Sequence, residues 1–181
     1  MTRILLFPAV CLPLLLSCGY QAGSLMPDGV SSVAVELAGN ETRPETRYHQ
    51  AEVTYTNLLT REFLRRSQVR VRPAEEADII VRSQIIRMER VTLVEDRRDF
   101  PSNEGLWATV RVEVVDGKSG RPFMAPFDLS RMSDRIIGRQ EGIETAILEV
   151  MGDLARDTVN RIQAESFYRT HPAPDVSSAG R

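Results

Sequence analysis

Residues 108–129 read ATVRVEVVDGKSGRPFMAPFDL, and this stretch decides the fold. Ala108, Val110, Val112 and Val114 alternate with Thr109, Arg111 and Glu113. That period of two makes a strand with one apolar and one polar face. Asp116-Gly117-Lys118-Ser119-Gly120 carries hairpin-turn chemistry. The chain then returns with Phe123, Ala125, Phe127 and Leu129 on one face. Pro122 and Pro126 cannot donate to a ladder, which predicts an edge strand there. A hairpin with a single apolar face needs a second layer to cover it, and the flanking sequence supplies helices.

Downstream, Ser130 to Gln140 shows no clear period. Ile143, Ala146, Ile147, Val150, Met151, Leu154, Ala155 and Ile162 then recur at helical spacing, predicting a long amphipathic helix that ends near Phe167. Upstream, Glu95 to Gly105 (EDRRDFPSNEG) reads as a polar loop. Ile79 to Val94 is β-rich, but its alternation slips at Ile85 and Ile86, which predicts a bulge or bend. Val69 to Val71 is a short strand stopped by Pro73. From Glu45 to Arg66, Ala51, Tyr55, Leu58, Leu59 and Phe63 share one helical face, with Glu52, Arg61, Glu62 and Arg65 on the solvated side. Before a break at Gly39 to Pro44, Val33, Val35 and Leu37 alternate as a first strand. The order predicts an α/β two-layer sandwich, with two helices packed on one face of a mixed four- to five-stranded sheet.

The N-terminus carries a separate signal. Arg3 precedes an apolar run from Ile4 to Leu16 that is too short to cross a bilayer, which takes about 20 residues. It suits the central region of a signal peptide. The run ends in Leu15-Leu16-Ser17-Cys18, which resembles a bacterial lipobox with Cys18 as the acylated residue. Gly19 follows where an aspartate often retains lipoproteins in the inner membrane, which points to the outer membrane. The predicted organisation is a signal peptide over 1–17, a lipidated tether over 18–29, one domain over 30–168 and a disordered Pro/Ser/Ala/Gly-rich tail over 169–181. A chain of 181 residues, 42% hydrophobic, supports one core. Its net charge of -2 offers nothing to a nucleic acid. Both cysteines, Cys11 and Cys18, precede the domain, so a disulfide or thiol chemistry within it is excluded.

Catalytic patterns are absent from the sequence. His49 and His171 have no ligand partner at motif spacing, and no Gly-rich phosphate loop or nucleophile elbow occurs. Glu75, Glu76 and Asp78 read as a polar turn before a strand. The lone Trp107 reads as a core or rim residue. No enzyme activity, cofactor or metal is expected.

Cys18-Gly19-Tyr20, a strand ending near Asn40-Glu41-Thr42 with a helix after it, and Ala77-Asp78-Ile79-Ile80-Val81 opening a strand follow one another in order. With the Leu154-Ala155 and Thr158-Val159 pairs of the last helix, the chain resembles the lipopolysaccharide-assembly lipoprotein (LptE) family from Cys18 to about Phe167. Phe167 stands where the family often has tryptophan. The resemblance implies an outer-membrane lipoprotein, held by palmitate-type acyl chains and facing the periplasm. Its partner would be a large β-barrel of the LptD kind, which it plugs while lipopolysaccharide is delivered to the surface. Barrel lumens are polar, and Arg82, Arg87, Arg90, Arg111 and Glu113 would suit one. Arginine also pairs well with lipid phosphates, which makes Arg87, Arg90, Arg97 and Arg98 the candidate lipid-binding patch. Interleaved with Glu89, Glu95, Asp96 and Asp99, these arginines read equally as a solvated mixed-charge run. Two other lipoprotein roles stay open, an activator of a peptidoglycan synthase and an accessory subunit of a lipid transporter.

Overall fold

The computed structural model describes residues 26–27, 29–42, 48, 50–66, 69–95, 101–133 and 142–170. Cys18, His49, Arg97, Arg98, His171 and the tail from 171 onward lie outside the described residues. The elements run β1 (Ser32–Val35), β2 (Gly39–Asn40), α1 (Ala51–Arg66), β3 (Arg70–Val71), a 3-10 turn (Ala74–Glu76), β4 (Ile79–Glu95), β5 (Pro101–Asp116), β6 (Phe127–Met132) and α2 (Ile143–Thr170). They form a six-stranded sheet in the order β3-β1-β4-β5-β6, with β2 added to β4. β1 pairs parallel with β3 and β4, while β4, β5 and β6 are antiparallel. The mixed two-layer sandwich expected from the sequence is therefore what forms, and β6 is the expected edge.

Both helices cover one face of the sheet. In α1 the buried side chains are Ala51, Tyr55, Leu59 and Phe63, every fourth residue. In α2 they are Ala146, Ile147, Val150, Met151, Leu154, Ala155, Thr158, Val159 and Ile162. These meet Val33, Val81, Ile85, Met88, Leu106, Ala108, Val110, Val112 and Val114 in one core cluster. Each fully buried large side chain there contributes about 1.5–3 kcal/mol. Tyr55 Oη lies 2.9 Å from Thr158 Oγ1, tying the two helices together inside the core. Burial pushes the Tyr55 phenol above its ordinary pKa, so it stays neutral.

The slip in alternation is a real bulge. Ile85 pairs with Val110 but Arg87 pairs with Thr109, so Ile86 is the extra residue. Beyond it the inward residue becomes Met88, which restores the apolar face. The expected polar loop over Glu95 to Gly105 is shorter than the sequence suggested. β5 begins at Pro101 and pairs through Gly105 with the end of β4. There β5 pairs with β4 alone, beyond the reach of β6. Backbone pairing propagates from the hairpin without an apolar alternation. The return strand is also shorter, because Phe123 to Pro126 form a bend joined by an isolated Val115–Pro122 bridge.

Two contacts fix where β4 starts. One carboxylate oxygen of Asp78 accepts hydrogen bonds from the Ser31 and Ser32 N–H groups at 2.9 and 3.0 Å. The same oxygen accepts from the Ser31 and Ser32 hydroxyls at 2.9 and 2.8 Å. These donors, led by the Ser31 N–H, hold the Asp78 carboxyl down at about 2. Gly117 N–H donates to the Asp78 carbonyl at 2.8 Å. A Cβ at Gly117 would sit 1.9 Å from the Ala77 carbonyl oxygen, so only glycine allows this approach.

Candidate functional site

Among the described residues, the face of the sheet turned away from the helices is a large polar surface built from strands. Period-two alternation puts the charged residues there, and cross-strand register lines them up in rows. At one end Ala34, Ala77, Ile80 and Val115 form a small cluster with Ala74 of the 3-10 turn against it. Next, Arg82 stands opposite Glu113, and its Nε lies 3.2 Å from Glu36 Oε2. The following row is Gln84, Arg111 and Asp128. Arg111 grips Asp128 with both prongs of its guanidinium, at 2.9 and 3.0 Å. That pairing lowers the Asp128 pKa. Glu36, Leu37, Gly39, Arg82, Gln84 and Arg111 help to line a shallow groove of about 400 Å³ here.

Beyond the bulge the face changes character. Arg87, Thr109 and Ser130 form one row, with the two hydroxyls 2.9 Å apart. Glu89, Trp107 and Met132 form the next. Arg87 pairs with Glu89, and its guanidinium carbon lies 5.9 Å from the centre of the Trp107 ring. The Trp107 Nε1 is shielded from solvent, with no hydrogen-bond acceptor among the described residues.

Of the arginines proposed for lipid, the structure describes Arg87 and Arg90, and it does not bring these two together. Arg87 and Arg90 are three residues apart in one strand with no bulge between them, so they emerge on opposite faces. Arg87 joins the open face. Arg90 stands on the helix side opposite Leu106 and lies 3.4 Å from Glu104. Parity could have shown this in the sequence, where nearness along the chain suggested a shared patch. Arg97, Arg98 and the lipidation residue Cys18 fall outside the described residues. Of the lumen-facing candidates, Arg82, Arg111 and Glu113 do share the open face.

Among the described residues no group of three His, Cys, Asp or Glu is placed to hold a metal ion. No described helix is long and apolar enough to cross a membrane. The open face offers instead side-chain charges already balanced within the sheet, which suits a surface that meets another polar surface without net repulsion.

Solved structures share this fold at low identity. A protein from Xanthomonas campestris is 12% identical, with 80% of this chain and 90% of that one covered and a TM-score of 0.55. Rare lipoprotein B from Shewanella oneidensis is 13% identical, covering 77% and 99%, at a TM-score of 0.53. A hypothetical protein from Chlamydia trachomatis is also 13% identical, covering 76% and 98%, at 0.53. Comparison with curated protein sequences gave no match. The family model for LptE, described as lipopolysaccharide-assembly, matches residues 30–162, and the chain belongs to the LptE family.

Proposed function

We propose that this chain is a non-catalytic outer-membrane lipoprotein that partners a large β-barrel of the LptD kind in assembling lipopolysaccharide at the cell surface. Acylation at Cys18 would anchor it on the periplasmic side. Two or three acyl chains, at roughly 0.8 kcal/mol per buried methylene, hold such a protein almost permanently. Family membership supports the role in lipopolysaccharide assembly. The observation that carries the barrel partner is the uncovered sheet face, with its Glu36–Arg82 and Arg111–Asp128 pairs. A polar lumen accepts such a surface. The apolar stripes of α1 and α2, by contrast, are already spent on the sheet and on each other. Direct lipid contact is assigned to Arg97 and Arg98, whose guanidinium groups suit lipid phosphates.

Photocrosslinkers at Gln84 and Ser119 should trap a β-barrel protein much larger than this chain, and one at Arg156 on the outer side of α2 should trap it less. Capture of only a periplasmic synthase or an inner-membrane transporter would replace the barrel reading with one of those roles.

A further inference from the structure

The open face is not uniform, and its two halves suit different tasks. Around Arg82 and Arg111 every exposed guanidinium is matched to a carboxylate within the sheet. Such exposed pairs set register and exclude wrong charges more than they supply affinity. Past the bulge, Glu89, Trp107 and Met132 form one row, which sets an indole and a thioether side by side on this face. Met132 is 37% exposed on the edge strand. The adjoining row is Val91 and Gly105, which lacks a side chain beside the indole. Trp107 is the single tryptophan of the chain.

We propose that Trp107 and Met132, with Arg87 laid over the indole, form the anchor by which this face grips a polypeptide segment of its partner. The partner segment would present an apolar side chain and a hydrogen-bond acceptor. This rests on the barrel-partner reading and says where on the face the affinity resides. Three observations favour a protein segment. Trp, Met and Arg are residue types enriched at the centres of protein interfaces. Arg87 is neutralised by Glu89, so the patch has no free positive charge to attract lipid phosphates. The indole N–H has no acceptor among the described residues, and a partner's carbonyl can supply one as the ring turns.

The test uses the tagged full-length chain in its native membranes, with retained barrel quantified after detergent extraction. Trp107→Ala and Met132→Lys should each lower barrel retention at least tenfold. Trp107→Phe, which keeps an aromatic ring but loses the N–H, should lower it at least threefold. Arg156→Ala, on the outer side of α2 and away from this face, should stay within twofold of the parent. Met132 is solvent-exposed, so its variant keeps the test decisive even where Trp107→Ala loses the fold. Parent-like retention in Met132→Lys or Trp107→Phe overturns the anchor while leaving the barrel reading intact. Retention of no barrel by the parent itself removes both. Full barrel retention with loss of binding to purified lipopolysaccharide would make the patch a lipid contact and also overturn the proposal.

Discussion

Asp78→Ala removes a single carboxylate that joins the first strand to the longest one, and the structure sets the size of the loss. Four donors converge on one Asp78 oxygen. Ser31 is exposed, so its N–H and hydroxyl return to water at little cost. Ser32 is buried, and its N–H and hydroxyl both lose their acceptor. At about 1–1.5 kcal/mol for each, the variant should be about 2–3 kcal/mol less stable at neutral pH. For a domain of this size that lowers Tm by roughly 5–10 °C. The pH dependence follows from the carboxyl being held at about 2 in the fold against 3.8 ordinarily. The folded state favours the ionised form, so the stabilisation is complete above about pH 5. It is lost as pH falls from about 4 through the folded value near 2. Urea unfolding of the chain from Gly19 onward, at pH 7 and at steps down to pH 2, measures both. The parent and variant curves should converge at the acid end. A difference below about 0.5 kcal/mol at pH 7, or one that persists undiminished at pH 2, would refute the role of Asp78 as a pin.

Ile147→Ala should cost about 2–5 kcal/mol in the same urea assay, since Ile147 sits in the core at 8% exposure. Gly117→Ala should cost at least as much, because the new methyl group meets the Ala77 carbonyl and must move the hairpin turn off β4; a change within 0.5 kcal/mol would mean the turn is free to shift. Cys18→Ala should yield an unlipidated chain that no longer floats with membranes, and unchanged fractionation would mean that a protein interface alone retains it. Replacing Arg97 and Arg98 by glutamate should weaken binding of purified lipopolysaccharide at low ionic strength without changing Tm, and unchanged binding would return both arginines to ordinary surface.

Period carried most of what could be read in advance. The fourfold spacing of Ala51, Tyr55, Leu59 and Phe63 and the twofold spacing of Ala108 to Val114 each name a buried face, and those faces meet in one core. Even the bulge at Ile86 leaves a trace, because the inward position skips from Ile85 to Met88. What period misses is pairing that buries nothing. The Pro101–Gly105 stretch of β5 pairs with β4 without an apolar alternation to announce it, and two-residue β2 has too few positions to show one. Parallel pairing of β1 with β3 and β4 is equally silent, since either direction would satisfy the same apolar residues. The candidate site was half visible. Arg82, Arg111 and Glu113 follow from strand parity, whereas Trp107 stands out only when register sets it between Glu89 and Met132.

The division between the two faces follows from how few helices cover the sheet among the described residues. Two helices cover one side of a mixed six-stranded sheet, and its antiparallel part, β4-β5-β6, tolerates water on the other side only when that side is polar. Arg82, Gln84, Arg111 and Asp128 meet that requirement, so they would be needed for solubility even in a chain with no partner. Trp107 and Met132 break the rule, because solvation of the open face gains nothing from an indole and a thioether near its edge. In the proposed complex, the ladder would keep the face compatible with a polar lumen, and the tryptophan row would give that lumen something to hold.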